Sequence, residues 1–202
     1  MADDYKDKVR KTILTNAGRN MFLQIGDGIG TLVYTRAILT SQKMTDSSGN
    51  PLDNEIIANM SSLSDDLKDG RLQISSVVGD HFTVTASFDN KDQHQDIYFN
   101  AIGWYARIDT KSSTGQTIDG QEALIAVTPT IAENELLGAG RPDGLSTQVI
   151  SMALNVTISD SANVSMKVND ISYVTRAELD AWQTQIEDTI AVGYMDLPFK
   201  ND

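Results

Sequence analysis

The stretch GRLQISSVVGDHFTVTASFDN, residues 70–90, limits the possible folds more than any other part of the chain. Phe82, Val84, Ala86 and Phe88 alternate with Thr83, Thr85 and Ser87, which describes a strand with one buried and one polar face. A second apolar run precedes it, and Gly79-Asp80 between the two is a tight-hairpin signal. The same pattern returns in SMALNVTIS, where Met152, Leu154, Val156 and Ile158 alternate with Ser151, Ala153, Asn155 and Thr157. Further strands are expected at 31–42, 95–109, 122–131 and 163–170, with Pro129 marking the end or edge of its strand. TDSSGNPLDNE (45–55) is dense in turn residues. The expectation is a mainly β domain, an antiparallel β-sandwich or barrel-like fold.

Two helices flank these strands. In TNAGRNMFLQI, Thr15 serves as N-cap, Met21, Phe22 and Ile25 share one face, and Gly26 is placed to end the helix. Near the other end, YVTRAELDAWQTQIEDTIAVG carries a capping box in Thr175 and Glu178. Leu179, Trp182, Ile186 and Ile190 (or Thr189) then recur at three-four spacing, giving an amphipathic helix that Gly193 stops. Its apolar face either packs back on the β domain or pairs with copies of itself. The division expected is a β-rich domain over 1–172 and a helix with a short tail over 173–202.

At 202 residues the chain can bury a substantial core, and it has no cysteine for disulfides, thiolate metal sites or a catalytic thiol. A net charge of −12 argues against nucleic acid and anionic membrane surfaces as partners. No apolar run reaches the roughly 18 residues of a membrane span. MADDYKDKVR is charged and has no apolar h-region, so the chain is expected to be made in the cytoplasm and to bypass general secretion.

Candidate chemistry is sparse. GDGIG (26–30) suggests a phosphate cradle, but it follows a helix and precedes a strand, the reverse of a dinucleotide loop, and no Lys-Ser/Thr pair follows it. A helix-to-strand turn is the expectation, and GAGRPDG (138–144) reads as a surface turn. His94 lies among Asp89, Asp92 and Asp96, where a divalent cation is conceivable but no EF-hand spacing is present, and His81 sits at the hairpin. The acids of SDDLKDG (64–70) and LDNE (52–55) read as solvated, and no serine has a nucleophile motif. Tyr98, Phe99, Trp104 and Tyr105 form an aromatic group in which Tyr98 and Trp104 are candidate glycan contacts. Strand alternation sets Tyr98 opposite in face to Phe99, and Trp104 opposite to Tyr105. No catalytic, cofactor or metal residue is assigned, and the chain is expected not to be an enzyme.

The run Lys11, Thr12, Ile13, Leu14, Thr15, Asn16, Ala17 and Gly18 resembles the opening of the phage tail-collar fibre family. Gly26, Asp27 and Gly28 resemble a Gly-Asp-Gly that follows in that family, though they come early here. YFNAIGWYARID and ALIAV are similar to its aromatic-rich strand and the strand after it, and YVTRAELDAW to the exit from head domain into a trimeric stalk. The likeness is strongest over 11–30, fair over 94–128 and weak elsewhere, about half of the chain in all, and its motifs are structural. Family members continue into long fibre modules, whereas this sequence stops soon after its helix. It is therefore closer in type to a tail adaptor, similar in role to upper baseplate proteins of siphophages of Gram-positive hosts. The resemblance implies a virion tail protein whose N-terminal segment attaches and whose C-terminal helix, through Leu179, Trp182, Ile186 and Ile190, gathers copies, most simply as a trimer, or presents the next component. Other tail or baseplate proteins are then its partners, and no cofactor is needed. A carbohydrate-binding host-recognition module is the alternative.

Overall fold

The computed structural model describes residues 11–78, 81–91, 93–141, 148–157 and 166–168. In chain order these form β1 (Ile13–Leu14), α1 (Asn16–Gly26), β2 (Thr31–Thr40), α2 (Asn54–Ala58), β3 (Lys68–Val78), β4 (His81–Asp89), β5 (Ile97–Phe99), β6 (Ala101–Lys111), β7 (Thr117–Ile118), β8 (Ala123–Pro129), β9 (Glu135–Leu137), β10 (Val149–Thr157) and β11 (Met166–Val168). The architecture is mainly β, as expected, and the principal sheet runs β1-β8-β6-β2-β3-β4-β10 and curls into a half-barrel. Every pairing is antiparallel except that of β11 with β2.

The curl originates in β2 and β3. Along one side β2 pairs with β6, from Thr31↔Asp109 to Thr40↔Ala101. On its other side β11 takes Leu32–Tyr34 and β3 takes Ala37–Leu39. The β2–β6 register shifts between Tyr34 and Arg36, so Thr35 is an extra residue where the neighbour changes. β3 then leaves β2 after Gly70 and pairs with β4 from Arg71 onward. A Cβ at Gly70 would lie 2.7 Å from the ring of Phe88, which is fully buried over that corner.

The corner creates two layers with a core between them. Leu32, Tyr34, Ala37 and Leu39 from β2 and Ile102, Trp104, Ala106 and Ile108 from β6 face Leu72, Phe82, Val84, Ala86, Phe88 and Leu154. The Tyr34 and Phe82 rings meet edge to face with centroids 6.3 Å apart. The period-two reading of 82–88 thus holds, with Thr83, Thr85 and Ser87 on the wetter face.

The outer face of β6 and β8 is also covered. Met44, Ile57, Ala101, Leu124 and Val127 form a second buried cluster, against which Leu52, Met60, Leu63 and Tyr105 pack. Residues 45–55 do hold the expected turn: Asp46 Oδ1 accepts from the N–H of Ser48 and Asn50, and Thr45 bridges to Pro51. The short helix α2 that follows was not expected. Only Ile57 and Ala58 of its five residues are buried, too few to print a helical period on the sequence.

The N-terminal run is built onto β8. A second register shift, between Trp104 and Tyr105, leaves Ile125 as an extra residue on β8. Its carbonyl accepts from the Thr15 N–H at 2.9 Å, while Thr15 Oγ1 donates to the Leu124 carbonyl at 2.6 Å. The same hydroxyl caps α1 by accepting from the Gly18 N–H at 3.0 Å. Asn16 Nδ2 donates to Asn59 Oδ1, tying the helix start to the end of α2. At Gly18 the helix lies so close to β8 that any Cβ would run into the Ile125 carbonyl.

Gly26 is the last residue of α1 rather than the residue beyond it, and the left-handed backbone falls at Gly28 and Gly30 instead. Gly18 and Gly26, in one helix, therefore predict opposite outcomes for the same substitution. Gly18→Ala should destabilise by about 1–3 kcal/mol through the clash with β8. Gly26→Ala, which meets nothing within 4 Å, should be neutral or stabilising by up to about 1 kcal/mol. Urea denaturation of the two variants checks this.

Candidate functional site

The glycine-rich loop has its donors occupied. The N–H groups of Asp27, Gly28 and Ile29 turn back onto the carbonyls of Leu23, Ile25 and Gln24, at 3.0, 3.0 and 2.9 Å, and that of Gly30 onto Gly28 at 3.2 Å. This closes the carbonyl end of α1 and leaves no array of free N–H groups for a phosphate. The loop lines a groove of about 490 Å³ with Val33, Asp109, Lys111 and Thr117.

The aromatic group divides as strand alternation requires. Trp104 is completely buried, and its Nε1–H donates to Thr128 Oγ1 at 2.9 Å. It therefore cannot stack on a sugar, which corrects its candidacy as a glycan contact: an indole on the inner face of a central strand is core. Thr128 is buried too, and its hydroxyl also meets Thr12 Oγ1 at 2.7 Å, so one hydroxyl ties β8 to β6 and to the N-terminal run. Phe99 is buried, while Tyr98 is 52% exposed opposite Leu136 on the small β5–β9 ladder. Tyr98 and Trp104 form no common site.

The acidic loop is organised around an asparagine. Asn90 is 1% exposed, and its Nδ2 donates to the carbonyls of Gly138 and Ala139 while its Oδ1 accepts from the Gln148 N–H. Asp96 accepts from the Ala139 N–H at 2.8 Å, and Asp89 from that of Lys91 at 3.1 Å. These carboxylates hold loop backbone together, and His94 is exposed. Asp92, the His81 side chain, the Gly79-Asp80 turn and residues 142–144 lie outside the described residues. Among the described residues no group of three or more His, Asp or Glu is placed to hold a metal ion.

The acids of 64–70 do more than meet solvent. Asp66 and Asp69 pair with Arg36, whose guanidinium stands 5.0 Å from the centroid of the Tyr105 ring. Asp65 accepts from Thr40 Oγ1, Ser41 Oγ and the Ser41 N–H. Burial pushes the Asp65 carboxyl up, but these hydrogen bonds outweigh it and hold it below the usual carboxylate range. Their joint effect is to fasten 63–69 over the outer face of the sheet. The sequence carried no sign of this arrangement, because Arg36 and its acids lie some thirty positions apart.

A cleft of about 400 Å³ lies where β1 and the end of β8 meet residues 44–57. Its apolar walls are Ile13, Met44, Leu52, Ile57, Pro129 and Ile131, with Lys11, Asn54 and Glu133 as polar lining. Thr45 Oγ1 donates to the Glu133 carboxylate. The lining offers room for an apolar group beside this hydroxyl–carboxylate pair. Sequence reading missed it because Leu52 lies within, and Met44 and Ile57 beside, the 45–55 segment dominated by turn residues. Leu179, Trp182, Ile186 and Ile190, and with them the division at 172/173, lie outside the described residues.

No protein-family model, curated protein or solved structure matches this chain.

Thr128→Val should cost about 1–3 kcal/mol in urea denaturation, because it leaves the buried Trp104 N–H without an acceptor. A smaller loss than this would mean that Trp104 is not held as described. Asp65 yields a pH test. A carboxyl depressed on folding adds stability that is complete above its unfolded pKa of about 3.9 and is lost as pH falls through its folded value. Stability measured at several pH values should show Asp65→Asn below the parent near neutrality, and the gap should close on the acid side.

Proposed function

We propose that this chain is a structural component of a bacteriophage or prophage tail, docking at the tail tip or baseplate and supporting fibres or receptor-binding components there. The resemblance over 11–30 is the starting point. The observation that carries the reading is the use to which that run is put. Ile13 and Leu14 pair with β8, Thr15 caps α1 and bonds β8 twice, Asn16 reaches α2, and Gly18 permits close approach. Each of these residues has an architectural reason, which suits a protein whose task is assembly. Because 13–26 is taken up within its own domain, attachment on this reading uses exposed surfaces of the domain rather than that segment.

On the same reading the protein is made in the host cytoplasm and ends in the virion, needs no cofactor and carries out no reaction. Its partners are other tail proteins and copies of itself. Leu179, Trp182, Ile186 and Ile190 gather the copies, three of them by analogy with fibres.

Immuno-electron microscopy of phage particles from the encoding strain, with antibody to this chain, should place label at the tail tip. Particles that carry no label would overturn the reading. Light scattering supplies the second arm: the full chain should be oligomeric and should fall in mass when 173–202 is removed, whereas the same number of chains per particle with and without 173–202 would count against gathering by the helix.

A further inference from the structure

The two edges of the principal sheet are treated differently. At one edge β1 spans only two residues, α1 lies beside β8, and β8 ends at Pro129. Shortness, cover and proline are the usual means of preventing a sheet from adding further strands. At the other edge stands β10, nine residues long and paired with β4 in unbroken register from Val149↔Asp89 to Thr157↔His81. Its sequence VISMALNVT holds no charge, no proline and no glycine, and the register shows no bulge. Its second side has no strand partner among the described residues.

We propose that β10 is a self-association edge, which pairs antiparallel with β10 of a second copy about a two-fold axis at Ala153 and continues the sheet across both chains. A second strand is the protein partner that matches a row of N–H and C=O groups at ladder spacing, replacing the water there. The side chains point to a second copy as its source. About a two-fold at Ala153, Ser151 faces Asn155 and Met152 faces Leu154, so polar meets polar on the outer face and apolar meets apolar on the inner face. The outer face there is already a hydroxyl and amide ladder, with Ser87 to Ser151 at 3.1 Å and Thr83 to Asn155 at 2.7 Å. On the inner face Ile150 and Met152 pack against the core yet remain only half-buried. A second β10 would complete their cover. The charge balance agrees: two chains of net charge −12 repel, and an uncharged strip is where they approach at least cost.

Light scattering on the full chain tests this independently of the tail reading. A two-fold edge requires an even number of chains: two by itself, or six if the helix also gathers threes. Ser151→Lys with Ala153→Lys places charge on two exposed outer-face positions and should halve the mass, with the circular-dichroism spectrum and cooperative melting kept. Serine at Leu179, Trp182, Ile186 and Ile190 together should leave the pairing intact, so failure of the helix reading and failure of the edge reading give different masses. Since the chain has no cysteine, Ala153→Cys gives a second measurement. Opposed residues of an antiparallel pair lie about 4.5–5.5 Å apart at Cα, within disulfide range. Oxidised glutathione should therefore link this variant to its own copy, and should not link Ser113→Cys on an exposed turn. An odd number of chains in the parent, an unchanged mass in the folded double-lysine variant, or no cross-link at 153 would each overturn the proposal.

Discussion

The two-layer core depends on one strand changing layers. β3 gives its first residues to β2 and the rest to β4, and the change occurs at Gly70, where a side chain would compete for space with Phe88. Without that corner the alternating apolar residues of β4 and β10 would have no opposing layer, and their inner faces would meet water. Phe88 lies at the bend itself and is entirely buried, so the residue that caps the corner also begins the core. β2 answers the same demand from its own side. Its extra residue Thr35 marks the point where β11 gives way to β3, a local irregularity that lets one strand edge serve two neighbours.

The bulge on β8 plays a comparable part for the N-terminal segment. An extra residue at Ile125 brings consecutive carbonyls, those of Leu124 and Ile125, to the Thr15 hydroxyl and N–H. Thr15 is buried, and its hydroxyl donates to β8 while accepting from α1, so both lone donors are matched without water. Gly18 then removes the one side chain that would hold the helix away. The opening run is thus best understood as the half of a contact whose other half is a bulge a hundred residues later.

Features that depend on local periodicity were legible in the sequence: the alternation at 82–88 and 151–155, the cap at Thr15, and the division of Tyr98 from Phe99 and of Trp104 from Tyr105. Features that depend on distant partners were not. Trp104 looked like a ligand platform because an aromatic cluster reads the same whether it faces solvent or core. Its burial follows from β6 lying between β2 and β8, which is a matter of strand order. α2 was missed because it is too short to repeat, and the Arg36 group because its acids come from a later loop and the start of β3. The end of α1 was placed early because Gly26 is followed by two more glycines, and the left-handed turn fell on those.

The residues with chemical potential in this sequence are largely used to hold loops to sheets. Asn90, buried, binds the 138–139 backbone. Asn100, 4% exposed, donates to Ser41 and accepts from Asn134, joining the exit of β2 to the turn before β9. Asp65 and Arg36 fasten 63–69, and Trp104 is fixed by Thr128. On the proposed reading, surface contacts are made by shape, strand edge and apolar patch, while these amides, carboxylates and the indole serve internal connections. Contacts of that kind are weak singly and strong in symmetric repetition, because each protomer contributes the same patch again. The proposed tail role draws on this economy, since on that reading the chain works by association.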